Sequence, residues 1–192
     1  RISTDKPLWQ DMHEYIKNLI WEMNANVVAF TDENGRTIQS GTTFVACCVK
    51  NNELYWAGVG DSRIYLMENN NLRQITRDHN YGIKLDYLAR TGKISPEQAY
   101  SSPDRQALIS YIGAQTMEMV DVSKEPQPVM SGSVLLLCSD GITKLLSDIE
   151  IADILQENAT CAASHIAQQL VDRATAKRVR AQDNTTVAII KI

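Results

Sequence analysis

A chain of 192 residues, 44% of them hydrophobic, can bury one sizeable core and has the size of one domain. Its net charge of −4 and pI of about 5.4 leave no basic footprint, which argues against broad nucleic-acid or membrane-surface binding. No apolar run approaches the roughly 18 residues of a transmembrane helix and no signal peptide is visible, so a cytoplasmic location is expected for this sequence, which starts at Arg1 without a Met.

Residues 5 to 28 read as a helix: Leu8, Met12, Tyr15, Ile16, Leu19, Ile20, Met23 and Val27 follow three/four spacing, with Asp5 as N-cap and Pro7 in the first turn. Asp32-Glu33-Asn34-Gly35 signals a turn. From Ile38 the period changes. Strands are expected at about 42–50, 53–60, 62–68 and 71–76, joined at Asn51-Asn52 and Asn69-Asn70 by tight turns, as an antiparallel meander. Its middle turn, Gly60-Asp61-Ser62-Arg63, differs in carrying an acid, a hydroxyl and a cation together.

Helices return over 77 to 112. One precedes Gly92, a second starts at Ser95-Pro96-Glu97, and a third short piece is expected from Asp104 to Ile112. This polar, turn-rich segment reads as a surface flap. Met117 to Ser123 alternates like a strand, and Glu125-Pro126-Gln127-Pro128 is extended. Ser147 caps a helix running to about Gln156, with Glu150 completing a capping box. A longer helix spans about Thr160 to Lys177 with Ile166, Leu170, Val171 and Ala174 inward, and a final strand covers 184–192. Lys177, Arg178 and Arg180 form a basic turn that complements the helix dipole. No repeat, low-complexity tract or linker divides the chain.

The chemistry gathers at strand ends. In Ser133–Lys144 the apolar run Val134 to Cys138 leads directly into Ser139-Asp140-Gly141, a buried strand with an acid where it stops and a glycine where the chain turns. Asp61 ends the strand 53–60, and Asp183 opens the last one. One cluster of hard oxygen ligands could gather all three acids around a metal ion. The four cysteines, Cys47, Cys48, Cys138 and Cys161, form no CxxC pair and read as reduced core thiols rather than a zinc site.

Five motifs in register carry a resemblance: Ser40-Gly41-Thr42-Thr43; Val59-Gly60-Asp61-Ser62-Arg63-Ile64-Tyr65-Leu66; Thr76-Arg77-Asp78-His79; Leu137-Cys138-Ser139-Asp140-Gly141-Ile142; and Gln182-Asp183-Asn184-Thr185-Thr186-Val187. Their order and spacing resemble the protein phosphatase 2C family, the metal-dependent Ser/Thr phosphatases, in its bacterial form. The resemblance covers essentially the whole chain. It implies an α+β fold, a four-layer α-β-β-α sandwich of two antiparallel sheets, as one domain over 1–192 with a flap at about 77–115. It implies Mn²⁺ or Mg²⁺ as cofactor, with Asp140 and Asp183 on one of two central metals and Asp61 with Asp140 on a third. Asn184 supports the Asp183 loop in this reading, and Arg63 braces the Asp61 turn. The implied reaction is hydrolysis of phosphoserine and phosphothreonine on a phosphorylated protein substrate, opposing a Ser/Thr kinase. A partner-binding module without catalysis is the alternative. The family's early DG-x-GGH-type turn, which bridges the two central metals, has no match here. The resemblance therefore implies an incomplete N-terminus, short of a full family domain by roughly 50 to 60 residues, and open sheet edges through which copies could dimerise.

Overall fold

The computed structural model describes residues 9–178 and 183–192. Two antiparallel sheets lie face to face, and the chain builds them from hairpins. β1 (Phe44–Lys50) and β2 (Glu53–Val59) pair from Phe44 opposite Val59 to Lys50 opposite Glu53. β3 (Arg63–Glu68) and β4 (Asn71–Gln74) form the second hairpin. Both turns close on paired asparagines in the left-handed region, Asn51 and Asn52 at φ 52° and 61°, Asn69 and Asn70 at 50° and 60°. Asparagine tolerates that region, and the geometry matches strand twist.

The expected continuous meander is corrected at its middle turn. β2 and β3 do not pair. β2 lies beside β1 on one side and β5 (Asp121–Val122) and β6 (Gln127–Pro128) on the other. β3 belongs to the second sheet, ordered β4-β3-β7-β8, with β7 at Val134–Cys138 and β8 at Val187–Lys191. At Gly60–Ser62 the chain therefore crosses from one sheet to the other, which puts Asp61 at the seam between them.

Strand alternation produces three apolar layers. Ile64, Leu66 and Leu135 face Leu54, Val45 and Cys47 between the sheets. On the outer face of the second sheet, Tyr65, Val134, Leu136 and Cys138 pack against Ile151, Ile154, Leu155, Ile166, Leu170 and Ala174. Those residues come from α5 (Asp148–Glu157) and α6 (Ala163–Ala176). On the outer face of the first sheet, Ala57 and Val59 meet Ile20 of α1 (Met12–Val28). The result is the helix–sheet–sheet–helix order that the resemblance implies, and both faces of β7 are buried, as its unbroken apolar run requires.

Smaller differences have local causes. α1 starts after a 3-10 turn at Trp9–Asp11, and the Asp5 and Pro7 capping expectation lies outside the described residues, as does Arg180. α2 (Gly82–Arg90) and α3 (Pro96–Ser101) stand where helices were expected, α3 with the full Ser95–Gln98 capping box. The helical piece expected over Asp104–Ile112 is not helical. Ile112 instead bridges to Thr42, and Leu108 to Asn80. These tertiary backbone bonds outcompete a short helix of marginal intrinsic stability. Of the strand expected at Met117–Ser123, only Asp121–Val122 pairs. Ser147 and Glu150 cap α5 reciprocally as expected. In α6, Ile166, Leu170 and Ala174 are buried while Val171 is half-buried.

Candidate metal centre at the sheet seam

Asp140 is placed by the most enclosed strand of the molecule. β7 runs between β3 and β8, and at its end the backbone turns into α4 (Asp140–Thr143). Gly141 permits the close approach of the loop before β8. A Cβ there would stand far inside contact distance of the Asn184 carbonyl oxygen and 3.0 Å from Thr185 Oγ1. Two hydrogen bonds fasten the same junction: the Ser139 N–H donates to Thr186 O at 3.1 Å, and the Thr186 N–H to Ser139 Oγ at 3.0 Å. Asp183 thus reaches the end of β7 from the approach to β8. Its Oδ1 accepts from the Asn184 backbone N–H at 2.8 Å.

Asp61 arrives from the other side of the seam. Gly60 takes φ +102°, and its missing side chain leaves room for Thr43, whose Cβ would lie 2.7 Å from a Cβ at Gly60. Thr43 Oγ1 and Ser62 Oγ share a 2.8 Å hydrogen bond across the turn. His79, fully buried, grips Gly60 twice. Its backbone N–H donates to Gly60 O at 2.9 Å, and its Nδ1 accepts the Gly60 N–H at 3.2 Å. The ring proton therefore sits on Nε2, which faces Asp121 Oδ1 at 3.5 Å. Asp121 also accepts the Arg77 N–H at 3.0 Å and pairs with its guanidinium. Burial acts to raise the Asp121 carboxyl, but the nearby His79 ring and the hydrogen bonds from Arg77 outweigh it and hold the group well below the ordinary carboxylate range. Arg63 grips Asp78 with two bonds of 2.8 and 2.7 Å and donates to Tyr65 OH at 2.7 Å, so it braces the strand after the turn.

Among the described residues, no three carboxylate, imidazole or thiol side chains form a ready metal-holding group. Asp140 and Asp183 are brought together through a fourth residue that sequence reasoning missed. Lys144 Nζ pairs with Asp140 Oδ2 and lies 3.9 Å from Asp183 Oδ2. Asp61, only 8% exposed, feels both neighbours: burial first, then the Asp140 charge, push its carboxyl up, while Lys144 pulls it down. Three acids thus share the field of one ammonium. The i,i+4 spacing of Asp140 and Lys144 was visible in the sequence; that Asp183 and Asp61 face the same ammonium was not, because it depends on the seam. The donor set is made of hard oxygens, and a cationic group already sits against two of them, so these side chains fit a hard divalent cation. Cys138 is buried with its thiol pushed up to about 12 by desolvation, which rules it out as a thiolate nucleophile.

Comparison with known proteins bears on the family and the fold. The profile of the family described as protein phosphatase 2C matches residues 3–82. The chain is 32% identical over 182 residues to the serine/threonine phosphatase stp of Listeria welshimeri, covering 95% of this chain and 69% of that protein. It is 32% identical over 152 residues to the serine/threonine protein phosphatase PstP of Mycobacterium tuberculosis, covering 79% of this chain and 27% of that one. Among solved structures, the serine/threonine phosphatase Stp1 of Staphylococcus aureus superposes with a TM-score of 0.80 at 27% identity, over 99% of this chain and 71% of that chain. A PstP catalytic domain described in complex with two manganese ions superposes at 0.64 with 25% identity, over 96% and 72%.

Proposed function

This chain belongs to the protein phosphatase 2C family, and on that premise we propose how its residues serve a protein serine/threonine phosphatase domain acting on phosphoserine and phosphothreonine. The observation that carries the reading is the meeting of Asp140 and Asp183 on one cationic group, with Asp61 within electrostatic reach. The family is metal-dependent, and here Asp140, Asp183 and Asp61 are the ligands for Mn²⁺ or Mg²⁺. When bound, such a cation supplies Lewis-acid neutralisation of phosphoryl oxygens and a water of lowered pKa.

The remaining work falls to the chain. Ser139 and Thr186 fix the spacing of the two loops that carry Asp140 and Asp183. His79 fixes Gly60 and so the direction of Asp61. The side chain of Asp61 is kept from water, which strengthens its interaction with any cation it meets. In this reading the segment 77–115 is a flap, and residues 1–192 are part of one phosphatase domain. It places the protein opposite a Ser/Thr kinase in the cytoplasm, where the four unpaired cysteines stay reduced. The outer edge of β1, unpaired among the described residues, is the surface through which two copies would join.

The test is hydrolysis of a phosphothreonine peptide by the full-length protein in millimolar Mn²⁺, with EDTA and Asp140→Asn as controls. Turnover that both controls abolish is expected. Turnover that survives EDTA or Asp140→Asn overturns the ligand assignment, and a full-length protein silent in every metal moves the reading to a partner-binding module.

A further inference from the structure

We propose that Lys144 is a resident counter-ion that a divalent metal must displace, so that it sets a weak and reversible metal affinity at Asp140 and Asp183. The proposal rests on the assignment of those two acids as metal ligands.

The geometry separates this lysine from an ordinary surface ion pair. An exposed i,i+4 pair on a helix joins two side chains of one face. Lys144 follows a single-turn helix, and its ammonium lies between that helix and a loop 39 residues further along the chain, against Asp140 Oδ2 and 3.9 Å from Asp183 Oδ2. It stands where a cation shared by the two carboxylates would stand. One ammonium also meets three negative charges, because Asp61 lies within the field of both Asp140 and Lys144. A monovalent group leaves that cluster under-neutralised, and a divalent ion completes it, so exchange of ammonium for metal is favourable but costs the existing ion pair. Lys144 has a way out: its side chain is 48% exposed. Its long stem can swing into water while the ammonium keeps its hydration.

The ammonium stands against Asp140 Oδ2 and 3.9 Å from Asp183 Oδ2, between the two loops that carry these acids. Lys144 therefore acts as a positioning residue in the metal-free state and as a competitor in the loaded one.

The experiment is Mn²⁺ binding to the full-length protein, followed by calorimetry and by the electron-spin-resonance signal of free Mn²⁺, on the wild type, Lys144→Gln, Lys144→Arg and Asp140→Asn. The readout is the binding event that Asp140→Asn removes. Lys144→Gln is expected to tighten that event at least tenfold, while Lys144→Arg, which keeps the charge, stays within threefold of wild type. In EDTA, Lys144→Gln melts below the wild type, and saturating Mn²⁺ raises its melting temperature by more than it raises that of the wild type. An unchanged or weaker Mn²⁺ affinity in Lys144→Gln overturns the role of Lys144 alone. If Asp140→Asn leaves every Mn²⁺ event unchanged, the ligand assignment itself falls, and the proposal falls with it.

Discussion

Replacing Gly141 by alanine sets two effects of opposite sign against each other. Gly141 lies within α4, where helix propensity alone favours alanine by about 1 kcal/mol. Sterics oppose it. The added Cβ would press into the Asn184 carbonyl oxygen, with Thr185 Oγ1 at 3.0 Å and the Asn184 carbonyl carbon at 3.1 Å. The Thr185 side chain can turn aside. The carbonyl cannot do so alone, because the next residues are tied to Ser139 by the Ser139–Thr186 bond pair. Reaching ordinary contact needs a retreat of about 1 Å, and such overpacking costs about 1–3 kcal/mol. Sterics should therefore win by up to about 2 kcal/mol, a fall in melting temperature of up to about 8 °C for a chain of this size. The retreat also moves the Asp183 loop away from Asp140, and a displacement near 1 Å can cost about 10²-fold in rate. Thermal denaturation in EDTA and phosphopeptide hydrolysis in Mn²⁺, both on full-length protein, read the two consequences. A Gly141→Ala protein that melts higher than wild type and keeps its activity would refute the close-approach argument and leave propensity as the only effect.

Three further outcomes follow from the packing and the charges. Leu136→Ala empties a fully buried position facing α5 and α6, and should cost about 2–5 kcal/mol in urea denaturation with little change in slope. Asp121 releases its proton more readily folded than unfolded, so the stability it contributes is present above the unfolded value of about 3.9 and lost as pH falls toward the depressed folded value. Asp121→Asn should lower stability at pH 7 and flatten the acid limb of a stability–pH curve; a parallel curve would show that the carboxylate charge contributes nothing. Cys138→Ala should keep metal-dependent turnover within a few-fold of wild type, since a buried thiol pushed up to about 12 performs no chemistry at neutral pH; loss of all activity in a folded variant would bring a thiol mechanism back.

The parts of the fold written in local chemistry were legible. The Val134–Cys138 run reads as a buried strand, and Asn-Asn pairs, Ser95 and Ser147 mark turns and caps whose bonds lie within four residues. What depended on distant partners was not. Nothing in the spacing of 53–68 distinguishes a strand that turns back on its neighbour from one that crosses to another sheet. The crossing depends on Gly60 fitting against Thr43 and on His79 holding Gly60 from 19 residues away. A helical piece was expected over Asp104–Ile112, yet backbone bonds of Ala107, Ile109 and Ile112 go to Tyr81, His79 and Thr42. At the candidate metal centre, Asp140, Asp61 and Asp183 were readable as acids at strand ends. The lysine among them was not, because an i,i+4 pair on paper is far commoner as a solvated helix contact.

The unequal mounting of the two acids at that centre has a consequence in time. Asp140 hangs from β7, which is hydrogen-bonded on both sides, whereas Asp183 leads into β8, which among the described residues pairs with β7 alone. Local opening draws on the lowest free-energy fluctuations a structure has, and an edge strand's approach opens before a central strand frays. Amide protons of 134–138 should therefore exchange near the global unfolding rate and those of 184–188 much earlier, with Asp140 as the fixed post of the site and Asp183 as its swinging gate.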